Sequence, residues 1–133
     1  MLRQKLAKHR LSIIGVRSAG TWAEIDSPAD PFSIAVARRY GVDLSEHQTR
    51  VVTEDLLVTS DLVLTMTRSQ LQDMRRDYPT HQHKMHSLYS MIDRDIDILD
   101  PSGRRIDDFI TCAHEIDSIL HIGFARILDL VSQ

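Results

Sequence analysis

The chain opens with MLRQKLAKHRLSIIGVRSAGTW, a helical stretch leading into a short apolar run, and no strand with a glycine-rich loop stands ahead of them. A doubly wound α/β protein builds its phosphate cradle in the first strand-to-helix turn. This opening therefore limits both the sheet the chain can form and the chemistry it can carry. Residues 2–11 alternate basic and apolar positions and put Leu2, Leu6 and Leu11 on one side of a helix. Residues 12–16 then read as a β-rich run that ends in Ser18-Ala19-Gly20-Thr21.

After a loop holding Pro28 and Pro31, a second helix is predicted over residues 31–40, with Gly41 as its C-terminal glycine. Ile34, Ala35, Val36 and Ala37 form its apolar side. Thr53, Glu54 and Asp55 begin a short helical turn. Residues 61–66, DLVLTM, are a nearly continuous apolar run of the kind found in strands covered on both faces, which belong to parallel sheets. Ser69 is the expected cap of a helix that reaches Asp77 and is stopped by Tyr78-Pro79, and residues 84–88 are a third candidate strand. Phe109, Ala113, Ile116, Leu120, Phe124 and Ile127 mark one amphipathic helix over residues 106–130.

Helices alternating with short apolar strands predict a single α/β domain over residues 1–133: three layers, α/β/α, around a short parallel sheet. Three strands are few, since sheets average about five or six. A strand that is missing, or supplied by another chain, is therefore expected.

Sixteen Lys and Arg stand against nineteen Asp and Glu, for a net charge of −3, and the two signs are interspersed. That offers nucleic acid or an anionic membrane surface no basic face. No apolar run approaches the ~20 residues of a membrane span. Arg3, Lys5, Lys8 and Arg10 have no apolar block behind them, as a secretory signal would require. The single cysteine, Cys112, forms no internal disulfide, and a reducing cytoplasm is the expected setting.

Five short segments follow one another along the chain. They are Ser18-Ala19-Gly20-Thr21-Trp22; Ser27-Pro28-Ala29-Asp30-Pro31; Gly41-Val42-Asp43-Leu44-Ser45-Glu46-His47 with Arg50; Ser60-Asp61-Leu62-Val63-Leu64-Thr65-Met66-Thr67; and Leu99-Asp100-Pro101-Ser102-Gly103. In this order they resemble the SAGT strand end, the PADP loop, the G-[IV]-D-L-S-x-H-x-x-R segment, the DLIL-x-M strand and the Asp-Pro loop of the low-molecular-weight protein tyrosine phosphatase family. The Met66-Thr67 ending and the DPxG loop are closer to the bacterial branch that includes protein arginine phosphatases. Phosphotyrosine and phosphoarginine are both left open.

The resemblance implies a phosphoprotein phosphatase that needs no metal and no cofactor. Its nucleophile is the thiolate of a Cys-x5-Arg loop at the end of a central first strand, and backbone N–H groups and the arginine hold the phosphoryl oxygens. By the same match Met1 falls inside the family's first helix, so the central strand and nucleophile loop are expected upstream of this sequence. Asp100 matches the general acid, Ser18 and His47 match side chains that steady the nucleophile loop, and Trp22 matches an apolar wall of the pocket.

Each of these residues also has a plainer reading. Cys112 sits beside Phe109 and Ile116 on an apolar helix stripe, and six positions on, where the loop needs arginine, stands Ser118. A buried structural thiol is the expectation. Asp-Pro-Ser-Gly is good turn chemistry, Ser18 and His47 are suited to capping and surface hydrogen bonds, and Trp22 to core or rim packing. His81, His83 and His86 have no cysteine beside them and no convergent helical spacing, and read as a solvated loop entering a strand rather than a metal site. Arg75-Arg76 and Asp93-Arg94-Asp95 read as solvated faces, as does Arg104-Arg105, although that pair has the charge to attract a phosphate.

The expectation is thus a phosphatase homologue that does not catalyse phosphate-ester hydrolysis as it stands. The alternative is a working tyrosine or arginine phosphatase whose catalytic segment lies outside this sequence, and an anion-binding module using Arg104, Arg105 and the SAGT turn is a third reading. Strands flanking a lost one expose unpaired N–H and C=O groups. Closure is expected either by rearrangement or by pairing with a second copy of the chain.

Overall fold

In the computed structural model, residues 1–22 and 24–133 are described. They divide into two compact units, Met1–Val51 with Pro101–Asp117, and Val52–Asp100 with Ser118–Gln133.

The first unit begins with helix α1, Leu2–Lys8, which buries Leu6. The strand expected over residues 12–16 does not form. Ile14 N–H donates to the Leu11 carbonyl at 3.0 Å, closing a turn, and Ile13 is 95% exposed. A strand exists only as one side of a ladder, and the Val16 carbonyl is instead taken by the Arg3 guanidinium, with Nε at 2.9 Å and Nη2 also donating. Among the described residues of this unit, regular pairing consists of one parallel bridge, Gly20 with Val51, and one antiparallel bridge, Pro28 with Gln48. Side chains reinforce the second: Ser27 N–H donates to Thr49 Oγ1 at 3.0 Å, and that hydroxyl donates to the Glu24 carbonyl.

Helix α2, Pro31–Arg38, starts where its sequence says it should. Asp30 caps it by accepting from Phe32 N–H at 2.8 Å, and Pro31 takes the first turn, where its missing N–H costs nothing. Val36 and Ala37 are buried, whereas Ala35, expected on the apolar side, is exposed. Gly41 follows at φ +71°. Glycine suits that left-handed conformation, and a Cβ there would lie 3.1 Å from Gln4 Nε2, the atom that donates to the Tyr40 carbonyl at 2.7 Å, so the Gln4 side chain would have to give way. The unit ends in the first part of α5, Ile106–Ile122, where Phe109 is buried and Lys5 pairs with Asp117 at 2.9 Å.

The second unit opens with α3, Glu54–Val58, capped by Thr53, which accepts from Leu56 N–H at 3.2 Å. At its other end Lys84 Nζ donates to the Leu57 and Ser60 carbonyls at 2.6 and 2.7 Å, satisfying acceptors that a helix terminus leaves over. Strand β1, Val63–Thr65, pairs in parallel with β2, Met85–Ser87, in the register Val63–Met85, Leu64–His86, Thr65–Ser87. The crossover is α4, Arg68–Asp77, followed by a 3-10 turn, Pro79–Lys84. Leu57, Met74 and Met85 form the core here, with Val52, Val63, Leu71 and Tyr78 packed on it.

Three expectations are corrected in this unit. The cap of α4 is Thr67, one residue outside the helix, whose hydroxyl accepts from Gln70 N–H at 3.1 Å while the Gln70 side chain accepts from Thr67 N–H at 3.2 Å; Ser69 lies inside the first turn. The terminal helix is not continuous but breaks at Gly123 between α5 and α6, Phe124–Val131. A Cβ on Gly123 would stand 2.8 Å from Met91 Cβ and 3.0 Å from the Met91 carbonyl, so the bare backbone is what allows this approach. The sheet has two strands rather than three. Among the described residues β1 pairs with β2 alone, so closure by a new pairing within the chain does not occur.

Candidate active site

Asp100 is carried by the irregular segment that leaves the second 3-10 turn, Leu88–Ile92, through Asp93 at φ +56°. This segment is anchored at the carboxyl end of β1. Ile98 N–H donates to the Met66 carbonyl at 3.0 Å, and Ile98 is buried. Asp97 Oδ1 accepts from both Arg68 N–H, at 2.8 Å, and Arg68 Nε, at 3.1 Å, tying the segment to the first residue of α4. These bonds, the backbone one foremost, hold the Asp97 carboxyl below the usual carboxylate range. Leu99 and Asp100 then emerge exposed.

Asp100 is thus an exposed acid three residues beyond a fixed point. Directly after it, Arg104 N–H donates to the Pro101 carbonyl at 3.0 Å, with Gly103 at φ +74°, so the Pro-Ser-Gly turn read from the sequence forms.

The other three candidates lie in the first unit. Ser18 is exposed, in an irregular stretch that leads to the Gly20–Val51 bridge. His47 is half-buried, its N–H donating to the Leu44 carbonyl at 3.1 Å, in a segment also turned by Ser45 N–H on Asp43 Oδ1 at 2.9 Å. Hydrogen bonds from Ser45 hold the Asp43 carboxyl below its ordinary value. Trp22 is 94% exposed, so packing into a core is not its role.

Cys112 is the seventh residue of α5 and is only partly buried, contrary to the expectation of a buried thiol. The histidines do not converge: among the described residues, no three His, Cys, Asp or Glu side chains come together as metal ligands. His81 Nε2 lies 2.5 Å from Glu54 Oε1 with its side chain 13% exposed, which corrects the solvated reading for that residue, and His83 is exposed. His86 sits on β2, where burial pushes its imidazole below the ordinary value and Arg75 and Arg126 push the same way.

The runs Arg75-Arg76 and Asp93-Arg94-Asp95 are exposed, as read from the sequence, and members of each also reach a partner. Arg75 Nη2 donates to the Met85 carbonyl at 2.7 Å, and Asp93 pairs with Arg126. The Arg68–Asp97 contact was not legible beforehand, since its partners are 29 residues apart with no motif joining them.

The order of motifs and the fold meet in the comparisons with known proteins. The sequence profile described as low molecular weight phosphotyrosine protein phosphatase matches residues 1–129. The chain belongs to that family. Its relatives include the probable low molecular weight protein-tyrosine-phosphatase EpsP of Ralstonia nicotianae, 32% identical over 108 residues, which are 81% of this chain and 73% of that protein. The protein-arginine-phosphatase of Bacillus subtilis is 29% identical over 108 residues, 80% of this chain and 71% of that one. A crystal structure of a YwlE mutant from Bacillus subtilis superposes with a TM-score of 0.85 at 27% identity, over 96% of this chain and 86% of that one. The α/β reading of this low molecular weight phosphatase family member therefore stands, although its sheet is smaller than expected.

Proposed function

We propose that residues 1–133 form, as one domain, the scaffold and general-acid part of a low molecular weight protein tyrosine or arginine phosphatase without the thiolate that attacks phosphorus, and that by themselves they do not hydrolyse phosphate monoesters. The observation behind this reading is the placement of Cys112, the single cysteine. It lies in the middle of α5 with Ser118, not arginine, six positions on, and Asp107 and Asp108 occupy the first turn of its helix. A nucleophilic cysteine of this family sits in a phosphate-holding loop with an arginine six positions on, and a mid-helix position in α5 is no such loop.

In this reading Asp100 is the general acid. In the family's chemistry a P–S bond forms as the bond from phosphorus to the leaving atom breaks, and the Asp100 proton passes to that atom, a phenol oxygen or a guanidine nitrogen. Ser18 and His47 support the nucleophile loop, and Trp22 walls the pocket. General acid catalysis contributes about 10²–10⁴-fold, whereas phosphate-monoester hydrolysis demands an acceleration of up to about 10²¹. Asp100 alone leaves nearly all of that barrier in place.

A second reading is favoured by the reach of the matches. This chain covers 73% of the Ralstonia protein and 86% of the YwlE structure, so a nucleophile segment carried outside residues 1–133 would complete a working enzyme. Its substrates would be phosphoproteins, in the cytoplasm. The open edge of β1 is assigned to pairing with a second copy of the chain, and a clean monomer by sedimentation at high concentration removes that assignment.

The deciding assay is p-nitrophenyl phosphate turnover by the purified 133-residue chain. No rate above buffer is expected, and vanadate-sensitive turnover overturns the first reading. An in-frame upstream stretch ending in Cys, five residues, Arg, Ser and Pro establishes the second.

A further inference from the structure

We propose that the first unit carries a docking cleft for an acidic peptide segment, and, resting on the phosphatase reading above, that this segment flanks the phosphorylated residue of a protein substrate. The cleft has a volume of about 300 Å³ and is lined by Asp30, Pro31, Phe32, Gly103, Arg104 and Phe109. It is built where the start of α2 meets the turn leading into α5.

Its apolar wall is prepared in advance. Phe32 is 41% exposed, yet its ring is fixed edge-on against that of buried Phe109, with centroids 5.4 Å apart and planes at 76°. A rigid aromatic that stays partly wet loses little side-chain entropy when an apolar group covers it.

The two charges at the rim are not equivalent. Asp30 is already committed, accepting from Phe32 N–H at 2.8 Å and facing the amide end of α2. Arg104 is exposed and forms no ion pair with a carboxylate among the described residues, so of the two opposite charges lining the cleft the guanidinium is the one open to an incoming partner, beside an apolar wall. Arg105 is the next residue, and the Asp108 carboxylate accepts from its N–H at 3.2 Å. A carboxylate neighbouring an aromatic or aliphatic side chain fits that pair of features, with the guanidinium able to bind it through two parallel hydrogen bonds. Arg104 also follows Asp100 by only four residues. The neighbours of a phosphorylated residue are on that account the assigned occupant.

The test is binding to the full 133-residue chain, followed by ¹⁵N amide shifts of Phe32, Gly103 and Arg104. Two probes are used, acetyl-Gly-Glu-Phe-Glu-Gly-amide and the same peptide with Lys in place of Glu. The Glu peptide is expected to give saturable shifts at these amides and to bind about fivefold more tightly than the Lys peptide, as exposed ion pairs allow. The preference should collapse in about 1 M salt, where screening acts within ~3 Å. Arg104→Glu should invert the order of the two peptides, and Phe32→Ser should weaken both alike.

Absence of saturable shifts, equal affinities, or a preference that survives Arg104→Glu overturns the proposal. Turnover of p-nitrophenyl phosphate would sink the noncatalytic reading and leave these shifts unaffected, so the two failures are distinguishable.

Discussion

Two apolar runs in this chain, Ser-Ile-Ile-Gly-Val at residues 12–16 and Asp-Leu-Val-Leu-Thr at residues 61–65, carry comparable β signals, and only the second becomes a strand. In the second unit a parallel partner, β2, lies across from β1, and α4 connects them. In the first unit the acceptor at Val16 goes to Arg3, and among the described residues this stretch pairs at one bridge, at Gly20. Strand formation is a property of a pair, and propensity alone decides only which segments are eligible.

The sharpest way to break this comparison is to truncate one apolar side chain in each region. Leu57→Ala removes a side chain that is 2% exposed, in the core with Met74 and Met85, and should cost about 2–5 kcal/mol in urea unfolding. Ile13→Ala acts on a side chain that is 95% exposed and should stay within about 0.5 kcal/mol. A cost at Ile13 close to that at Leu57 would mean that residues 12–16 are covered in solution, which is the outcome pairing with a second copy would give.

The same contrast marks what was legible in the sequence. Family and fold class were readable because short motifs such as Ser18-Ala19-Gly20-Thr21 and Asp100-Pro101 need only local order to be recognised. Helix starts were readable where a cap and a proline coincide, as at Asp30-Pro31. Features that depend on a distant partner were not. The break at Gly123 answers to Met91, and the anchor of the acid segment joins Arg68 to Asp97. Alternating Asp93, Asp95 and Asp97 look equivalent in sequence, yet of the three Asp97 accepts from the backbone N–H of Arg68, while Asp93 turns the chain and Asp95 stands 3.9 Å from the Arg68 side chain.

A medium-sized effect sharpens the reading of α4. Thr67 and Ser69 are two residues apart and both are good capping types, but the capping box belongs to Thr67 with Gln70. Thr67→Ala should destabilise the chain by about 1 kcal/mol, and Ser69→Ala, on an exposed helical position, by less than about 0.5 kcal/mol. Equal losses in thermal unfolding would return the cap to Ser69 and shift the start of the helix that follows β1.

The smallest effect concerns the fixed point before Asp100. Asp97 has its carboxyl pKa lowered in the folded chain by the Arg68 backbone N–H and then by the Arg68 side chain. A carboxylate that binds its proton less readily when folded contributes stability above its unfolded pKa of about 3.9, and that contribution disappears as pH falls through the lower folded value. Because Asp97 faces solvent and is screened, the loss is small, and it appears as local loosening rather than global unfolding. Hydrogen exchange at the Ile98 amide should accelerate as pH drops below about 4, beyond the intrinsic trend. Asp97→Asn should make that amide faster at neutral pH and remove most of the acid dependence, because the charged acceptor for Arg68 is gone at every pH. An unchanged profile in the variant would show that the Met66 carbonyl alone holds the segment, and that the ion pair with Arg68 plays no part in fixing the chain ahead of Asp100.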